Sequence, residues 1–141
     1  MKPIRWGIIG CGVVTEMKSG PAYQKIEGFE LAAVMRRNIE AAQSYAERHG
    51  IAHFTDSADE IIHNDQIDAV YIATPPDSHK YYALKVAQAA KPCCVEKPLA
   101  PNYADCVEIN EQQFSLKLGV IPHAALSQAK NKPFALFLKK G

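Results

Sequence analysis

Short apolar runs alternate along this chain with segments in which apolar residues recur every three or four positions. The apolar runs cover residues 3–9, 30–35, 51–54, 68–73 and 91–95. Helical patterns cover about 13–27, 38–49, a brief stretch after 57, 77–90 and 101–117. Strands and helices that alternate at this spacing predict an α/β protein, a doubly wound parallel sheet of the Rossmann type with right-handed crossovers.

Turn and capping residues mark the predicted ends of these helices. Asn38 is placed to cap the second helix and Gly50 to stop it. The tripeptide at 19–21, Ser-Gly-Pro, is expected to interrupt the first helix, with Pro21 opening its second part. Residues 57–60, Ser-Ala-Asp-Glu, have the pattern of a capping box. Either Asp77 or Ser78 is predicted to cap the fourth helix.

The first apolar run ends in two glycines with one residue between them. Gly10 allows the backbone a tight turn, and Gly12 has no Cβ, so a phosphate can approach its main chain. The N–H groups of Val13 and Val14 would then face an anion at the start of the helix. Thr15 replaces the third glycine of the dinucleotide fingerprint, which predicts slightly looser packing of helix on strand. The alternative is a glycine turn without a ligand.

Length and composition fit a soluble globular protein of one domain, since 48% of the 141 residues are hydrophobic and 22% are charged. No apolar run reaches membrane-spanning length, and the N-terminus lacks the apolar core of a signal peptide. The four cysteines show neither a CxxC pair nor metal-ligand spacing, which predicts no metal site and a reducing, cytoplasmic compartment. A net charge of +1 gives no indication of nucleic acid as a partner.

Charge is unevenly distributed along the chain. Residues 1–111 hold 15 acidic and 11 basic side chains, whereas residues 112–141 hold five lysines and no acid. A break of this kind predicts that the end of the chain differs in role from what precedes it. We therefore divide the chain into a nucleotide-binding domain at 1–110 and an atypical basic tail at 111–141.

Four candidate features fall at the carboxyl ends of predicted strands. They are the glycine turn at 10–12, Arg36-Arg37, the segment 74–79 and Glu96-Lys97. In a doubly wound sheet, ligands bind in the crevice at these ends. The agreement of the four positions favours dinucleotide binding over a glycine turn without a ligand.

Cofactor choice is expected to depend on the end of the second strand. An NAD-selective fold places Asp or Glu there to bind the ribose 2′-hydroxyl, whereas this chain has Arg36 and Arg37. Guanidinium groups bind phosphate bidentately, so the sequence predicts NADP in preference to NAD. The lack of an acid also argues against an S-adenosylmethionine methyltransferase. The alternative is that both arginines are solvated surface residues.

The remaining polar residues divide into structural and catalytic candidates. Thr74, Pro75 and Pro76 form a stiff wall, because consecutive prolines fix φ and lack N–H groups. His79 could reach the site, although a structural role in the first turn of its helix is the stronger expectation. Lys97 is the catalytic candidate, because an ammonium at a strand end can stabilise charge on a substrate oxygen. The alternative is an ordinary surface pair with Glu96.

Three motifs together resemble the glucose–fructose oxidoreductase / inositol dehydrogenase (Gfo/Idh/MocA) family. They are Gly-Ile-Ile-Gly-Cys-Gly at 7–12, Ala-Thr-Pro-Pro-Asp-Ser-His at 73–79 and Val-Glu-Lys-Pro-Leu-Ala at 95–100, and the likeness covers about residues 3–110. It implies an NAD(P)-binding Rossmann domain and hydride transfer on a small-molecule substrate such as a sugar or polyol. It also implies that Lys97 is the catalytic lysine, that Cys11 lies in the phosphate turn, and that Glu96 and 74–79 line the nicotinamide side.

The chain departs from that family after about residue 110. By this resemblance, family members continue into a second α/β domain, which carries further catalytic residues and usually the oligomer interface; we expect this chain to lack it. Residues 120–124 make a poor last strand, because Pro122 cannot donate to a central ladder. A truncated or alternatively translated product is one interpretation, and a natural short protein is another. The rival functions are a non-catalytic nucleotide-binding or regulatory module and an inactive fragment.

Overall fold

Six parallel strands form one sheet in the computed structural model, which describes residues 2–115 and 120–122. The strands are β1 (Ile4–Ile9), β2 (Phe29–Met35), β3 (His53–Thr55), β4 (Ala69–Ile72), β5 (Cys93–Val95) and β6 (Val120–Pro122). Their order across the sheet is β3-β2-β1-β4-β5-β6. The order reverses between β1 and β4, so a crevice opens at the carboxyl ends of these two strands. The predicted doubly wound sheet is confirmed.

Helices connect the strands and cover both faces of the sheet. They are α1 (Gly20–Lys25), α2 (Ile39–His49), α3 (Ala58–Ile62), α4 (His79–Gln88) and α5 (Tyr103–Ser115). A π-helical turn, Thr15–Ser19, leads directly into α1, and a 3-10 turn, Pro76–Ser78, leads into α4. Parallel strands need such crossovers, because each must return to the same end of the sheet.

Two apolar cores lie on opposite faces of the sheet, and β4 contributes to both. Ala69 and Tyr71 belong to the core beneath α1 and α2, whereas Val70 and Ile72 belong to the core beneath α3, α4 and α5. All four side chains are fully buried. This is the reason for the continuous apolar run: alternate residues of a strand point to opposite faces, and here both faces are covered.

The structure confirms the two caps predicted for α2. The Asn38 side chain accepts a hydrogen bond from the Ala41 N–H at 2.8 Å, which satisfies one of the unpaired donors of the first turn. Gly50 has φ of +66°, the left-handed conformation that ends helices.

Three local predictions were wrong. The hydroxyl of Ser57 makes no capping hydrogen bond to α3; its N–H instead donates to Thr55 Oγ1 at 3.0 Å. The Ile51 N–H donates to Ala46 O in the turn that follows α2, so the third strand begins two residues later than predicted. The first helix is not broken at 19–21, because the Gly20 N–H donates to Thr15 O within a π turn, although Pro21 does lie in the first turn of α1 as predicted.

The chain beyond residue 110 contains two described segments. Helix α5 is described as far as Ser115, and its predicted end near 117 lies outside the described residues; β6 pairs in register with β5. Within the described sheet β6 is an edge strand, where the missing N–H of Pro122 is tolerated. The rest of the predicted basic tail lies outside the described residues, so the boundary at 110/111 stays a prediction.

Within residues 2–115 and 120–122, no helix has the length and apolarity needed to cross a bilayer. In the same part of the chain, no three His, Cys, Asp or Glu side chains are arranged to hold a metal ion.

Candidate functional site

A cleft of about 470 Å³ opens where β1, β2 and β4 end. The glycine turn at 10–12 lines it, together with residues 35–38 after β2. The opposite wall consists of 73–75 together with Asp77, Ser78 and Tyr82. The structure thus brings together the glycine turn, both arginines, Thr74 and Pro75, which come from three segments distant in sequence.

Gly10 is required by the turn itself. Its φ is +91°, and a Cβ built there would lie 2.8 Å from Thr74 Cγ2 and 2.9 Å from Thr74 N. The N–H groups of Gly10 and Cys11 both donate to Met35 O, at 2.9 and 3.1 Å. The turn is therefore fixed against both β2 and the segment after β4.

Gly12 lies in open space at the cleft surface. The nearest atom to a Cβ built on it is Gly10 O, at 4.0 Å. Its carbonyl accepts from the Glu16 N–H at 3.0 Å and from the Thr15 hydroxyl at 2.8 Å, so it begins the helical segment. Because no protein atom crowds this position, the lack of a side chain leaves room for a ligand.

Thr15 is fully buried at the position of the missing third glycine. Its carbonyl accepts a hydrogen bond from Tyr45 Oη at 3.0 Å. The close approach of backbone occurs instead at Gly20, where a Cβ would lie 2.1 Å from Tyr45 Oη and 2.5 Å from Thr15 O. The signal for this approach in the sequence is the glycine before Pro21, a pair that is equally typical of a helix break.

Val13 and Val14 occupy the first helical turn after Gly12. Their side chains are 79% and 43% exposed and do not line the cleft. The predicted role concerns their backbone N–H groups. In the first turn of a helix these groups have no carbonyl acceptor within the helix, so they could bind an anion. That role stays a prediction.

Arg36 and Arg37 lie on the cleft wall at the end of β2, and both are exposed. The Arg36 N–H donates to Thr55 O at 3.1 Å, which anchors its backbone and leaves the guanidinium on the surface. Neither guanidinium makes an ion pair with any residue that the structure describes. Asp77 stands on the opposite wall, so the cleft carries opposite charges on its two sides.

Glu16 lies one turn after the phosphate turn, where its charge would oppose an anion. Its carboxylate forms an ion pair with Arg48 and lies 2.8 Å from His49 Nε2 at the end of α2. Partial burial would raise the pKa of Glu16, but hydrogen bonds from Arg48 and His49 outweigh burial and lower the pKa. The pairing offsets the negative charge near the cleft, and sequence reasoning missed it because residues 16 and 48 are distant along the chain.

The Cys11 thiol is buried beneath the turn. Burial raises its pKa to about 11, and nearby Arg36 only partly opposes this effect. The thiol is therefore neutral at physiological pH, which excludes a thiolate nucleophile here.

We predict that alkylation distinguishes the four cysteines. Burial raises the pKa of Cys93 and of Cys94 to about 12, so these thiols, like Cys11, stay protonated at pH 8. Cys106 is only half-buried. Iodoacetamide at pH 8 is expected to label Cys106 alone in the folded chain and all four cysteines in denaturant, as measured by mass spectrometry. Native labelling of Cys11 at the rate of Cys106 would contradict this placement.

The segment after β4 is held by its own hydroxyl groups. Ser78 Oγ lies 2.7 Å from Thr74 Oγ1 and 2.8 Å from Pro75 O. The predicted cap at Ser78 is therefore wrong, since this hydroxyl bonds backward to the wall and not to α4. Pro76 begins the 3-10 turn and does not line the cleft.

His79 lies below the cleft wall, with no exposed surface. Both ring nitrogens lie within hydrogen-bond distance of backbone carbonyls. The imidazole therefore does not line the cleft, which agrees with the structural role expected more strongly from the sequence.

Glu96 follows β5 and contacts a tyrosine that sequence reasoning missed. Tyr71 Oη lies 2.5 Å from Glu96 Oε2 and 3.1 Å from Ser19 Oγ. Burial and the Glu96 carboxylate both raise the pKa of Tyr71, so its hydroxyl keeps its proton and donates to Glu96. The only signal in the sequence is a tyrosine within an otherwise aliphatic strand.

Lys97 lies in an exposed turn after β5, and its peptide bond to Pro98 is cis. The Glu96 N–H donates to Ile72 O at 2.9 Å, which fixes the start of this turn beside β4. Among the described residues, the Lys97 ammonium makes neither a hydrogen bond nor an ion pair. Neither Glu96 nor Lys97 lines the cleft, so the turn lies outside the surface formed by the glycines and arginines.

The sequence profile of a family, GFO_IDH_MocA, described as "Oxidoreductase family, NAD-binding Rossmann fold", matches residues 4–118. Oxidoreductase P35 of Formosa agariphila is 54% identical over 99 residues, which cover 70% of this chain and 31% of that protein. The scyllo-inositol 2-dehydrogenase (NADP(+)) IolU of Bacillus subtilis is 37% identical over 106 residues, covering 75% and 32%.

A solved structure supports the same relation. The 3-ketoreductase KijD10 of Actinomadura kijaniata, crystallised with TDP-benzene and NADP, superposes with a TM-score of 0.81 at 25% identity. The match covers 86% of this chain and 38% of that enzyme. The chain therefore spans about a third of the length of the proteins it resembles.

Proposed function

Since the chain belongs to the Gfo/Idh/MocA family of oxidoreductases with an NAD-binding Rossmann fold, we propose that it is an NADP(H)-binding domain for hydride transfer. The substrate class is a sugar, a polyol or a similar alcohol or carbonyl compound. IolU is named as an NADP(+)-dependent inositol dehydrogenase and KijD10 as a ketoreductase with NADP bound, which supports this class.

The observation that carries the proposal is the composition of the cleft. It combines open space at Gly12, the first-turn N–H groups of the following helix and two exposed guanidiniums. These groups suit an NADP molecule: the turn would hold the pyrophosphate, and Arg36 and Arg37 would hold the 2′-phosphate. When bound, the cofactor supplies or accepts the hydride.

The protein contributes charge and position to the reaction. Lys97 is proposed to donate a hydrogen bond to the substrate oxygen and to stabilise the charge that develops there. Its ammonium has no competing acid among the described residues, so it is available for a substrate. Glu96, held by Tyr71, is proposed to flank that position.

A titration of the 141-residue chain with NADPH and NADH tests the cofactor assignment. We expect tighter binding of NADPH and a rise in melting temperature with NADPH concentration, because a ligand that binds only the folded state stabilises it. Binding without turnover on polyols or aldoses would favour a non-catalytic nucleotide-binding module. Failure to bind either cofactor would contradict the proposal.

We predict that Lys97→Ala lowers turnover far more than cofactor affinity. The test protein joins this chain to the remaining length of a relative such as IolU, because the chain covers only part of such enzymes. Loss of a group that stabilises transition-state charge should lower kcat about a hundredfold to a thousandfold and change the NADPH Kd less than about threefold. Lys25→Ala, an exposed lysine on α1, is the matched control and should leave both unchanged.

An equal loss of kcat in the Lys25 and Lys97 variants would contradict the catalytic role. So would robust turnover by the Lys97→Ala protein.

A further inference from the structure

One buried imidazole joins the two turns of the candidate site. His79 Nε2 lies 2.6 Å from the carbonyl oxygen of Thr74. Its Nδ1 lies 2.9 Å from the carbonyl oxygen of Pro98 and 3.2 Å from that of Leu99. Thr74 lines the cleft after β4, whereas Pro98 and Leu99 directly follow Lys97 after β5. A single side chain therefore spans the distance from the cofactor wall to the lysine turn.

The chemistry of this contact favours histidine. Carbonyl oxygens only accept hydrogen bonds, so each ring nitrogen that serves one must carry a proton. A neutral ring carries one N–H and donates a hydrogen bond at one edge only, whereas a doubly protonated ring donates at both edges. Glutamine at 79 has a donor but replaces the rigid ring with a flexible side chain, so it does not hold the two turns at a fixed separation.

We propose that His79 is a positioning residue that fixes the Lys97 turn relative to the cofactor cleft. It does so as one rigid ring that lies between carbonyl groups of the two turns and donates a hydrogen bond from each edge that carries a proton. The catalytic consequence rests on the proposed function, because it concerns the role of Lys97. The contact itself does not, and it can be tested without cofactor.

Amide hydrogen exchange in the full 141-residue chain tests the contact. The variants are His79→Gln and Val86→Ala; Val86 is equally buried on α4 but packs in the apolar core. The amides of Ser78 and Glu96 report on the two turns, since they donate to Pro75 O and Ile72 O. The Gly10 amide, bonded to Met35 O across the cleft, is the internal reference.

We expect Ser78 and Glu96 to exchange about tenfold faster in His79→Gln than in Val86→Ala, once rates are compared at equal global stability. The Gly10 amide should exchange equally in both. Acceleration spread uniformly over the chain, or confined to one turn, would overturn the proposal.

A titration with NADPH separates positioning from simple stabilisation. In the parent we expect NADPH to shift the amide resonances of both Gly12 and Lys97. In His79→Gln the Gly12 shift should persist and the Lys97 shift should decrease. Retention of both shifts would overturn the positioning role. If the parent does not bind NADPH, the proposed function fails, and the exchange experiment alone decides whether His79 holds the turns.

The unmodified protein gives a further readout if His79→Gln does not fold. Ring N–H protons of His79 should be protected from exchange and visible in an imidazole ¹H–¹⁵N spectrum, unlike those of the exposed His53 and His63. A coupling across a hydrogen bond to the carbonyl carbon of Thr74 at one edge, or of Pro98 or Leu99 at the other, would support the proposal. Absence of coupling at both edges would overturn it.

Discussion

Replacing Gly12 with valine is expected to abolish NADPH binding while the chain stays folded. A Cβ at this position meets no atom closer than Gly10 O at 4.0 Å, so the added methyl groups project into the open cleft. That space is where the pyrophosphate is proposed to lie. We expect Gly12→Val to lower the NADPH affinity at least about a hundredfold and Gly12→Ala to lower it by a smaller factor. The free energy of unfolding should change by less than about 1 kcal/mol in Gly12→Val. Fluorescence titration and thermal unfolding measure the two effects.

Gly10→Ala is the matched control for this experiment. Gly10 has φ of +91°, and its Cβ would lie within 2.9 Å of the Thr74 backbone N, so alanine here strains both conformation and packing. We expect it to lower the free energy of unfolding by about 2–4 kcal/mol. Parent-like NADPH affinity in Gly12→Val would show that the cleft is not the cofactor site. Unfolding of Gly12→Val as severe as that of Gly10→Ala would contradict the open space around Gly12.

Arg36→Asp is expected to reverse the cofactor preference. A guanidinium binds the 2′-phosphate of NADPH through charge-assisted hydrogen bonds, each worth about 1.5–3 kcal/mol. The carboxylate repels that phosphate and accepts a hydrogen bond from the 2′-hydroxyl of NADH. We expect NADPH affinity to fall about tenfold to a hundredfold and NADH affinity to rise, as measured by paired titrations.

Two further variants distinguish a direct contact from a general charge effect. Lys25→Asp makes the same charge change on an exposed residue of α1, away from the cleft, and should leave the NADPH/NADH affinity ratio unchanged. Arg37→Asp tests whether the Arg37 guanidinium also binds the 2′-phosphate of NADPH. An unchanged ratio in Arg36→Asp, or an equal change in Lys25→Asp, would contradict the assignment of Arg36.

Many features of the fold follow from local sequence patterns. Strand β4 was predicted as buried on both faces, and its four side chains do divide between two apolar cores. The caps of α2 followed from the preferences of Asn38 and Gly50, which act within a few residues of themselves. The position of Arg36 and Arg37 beside the glycine turn followed from topology, because the carboxyl ends of parallel strands share one edge of the sheet.

Other features depend on residues that meet only in three dimensions. The pairing of Glu16 with Arg48 and the contact of Tyr71 with Glu96 join segments that no local pattern connects. The hydroxyl groups of Ser57 and Ser78 show the same limitation, since both have the sequence pattern of a cap and make none. Side-chain hydrogen bonds depend on which acceptors lie nearby, and that is decided by packing.

The sequence by itself therefore determined the order of the elements, the doubly wound sheet and the edge at which its polar residues collect, because hydrophobic periodicity and turn chemistry are local properties. The tertiary structure decided which of these polar residues lie together in one site. Gly12 and the arginines share one cleft, Lys97 lies in a separate turn, and His79 spans the two from below. The reason is that burial and hydrogen-bond geometry depend on the packing of α4 against both turns, which no local stretch of sequence specifies.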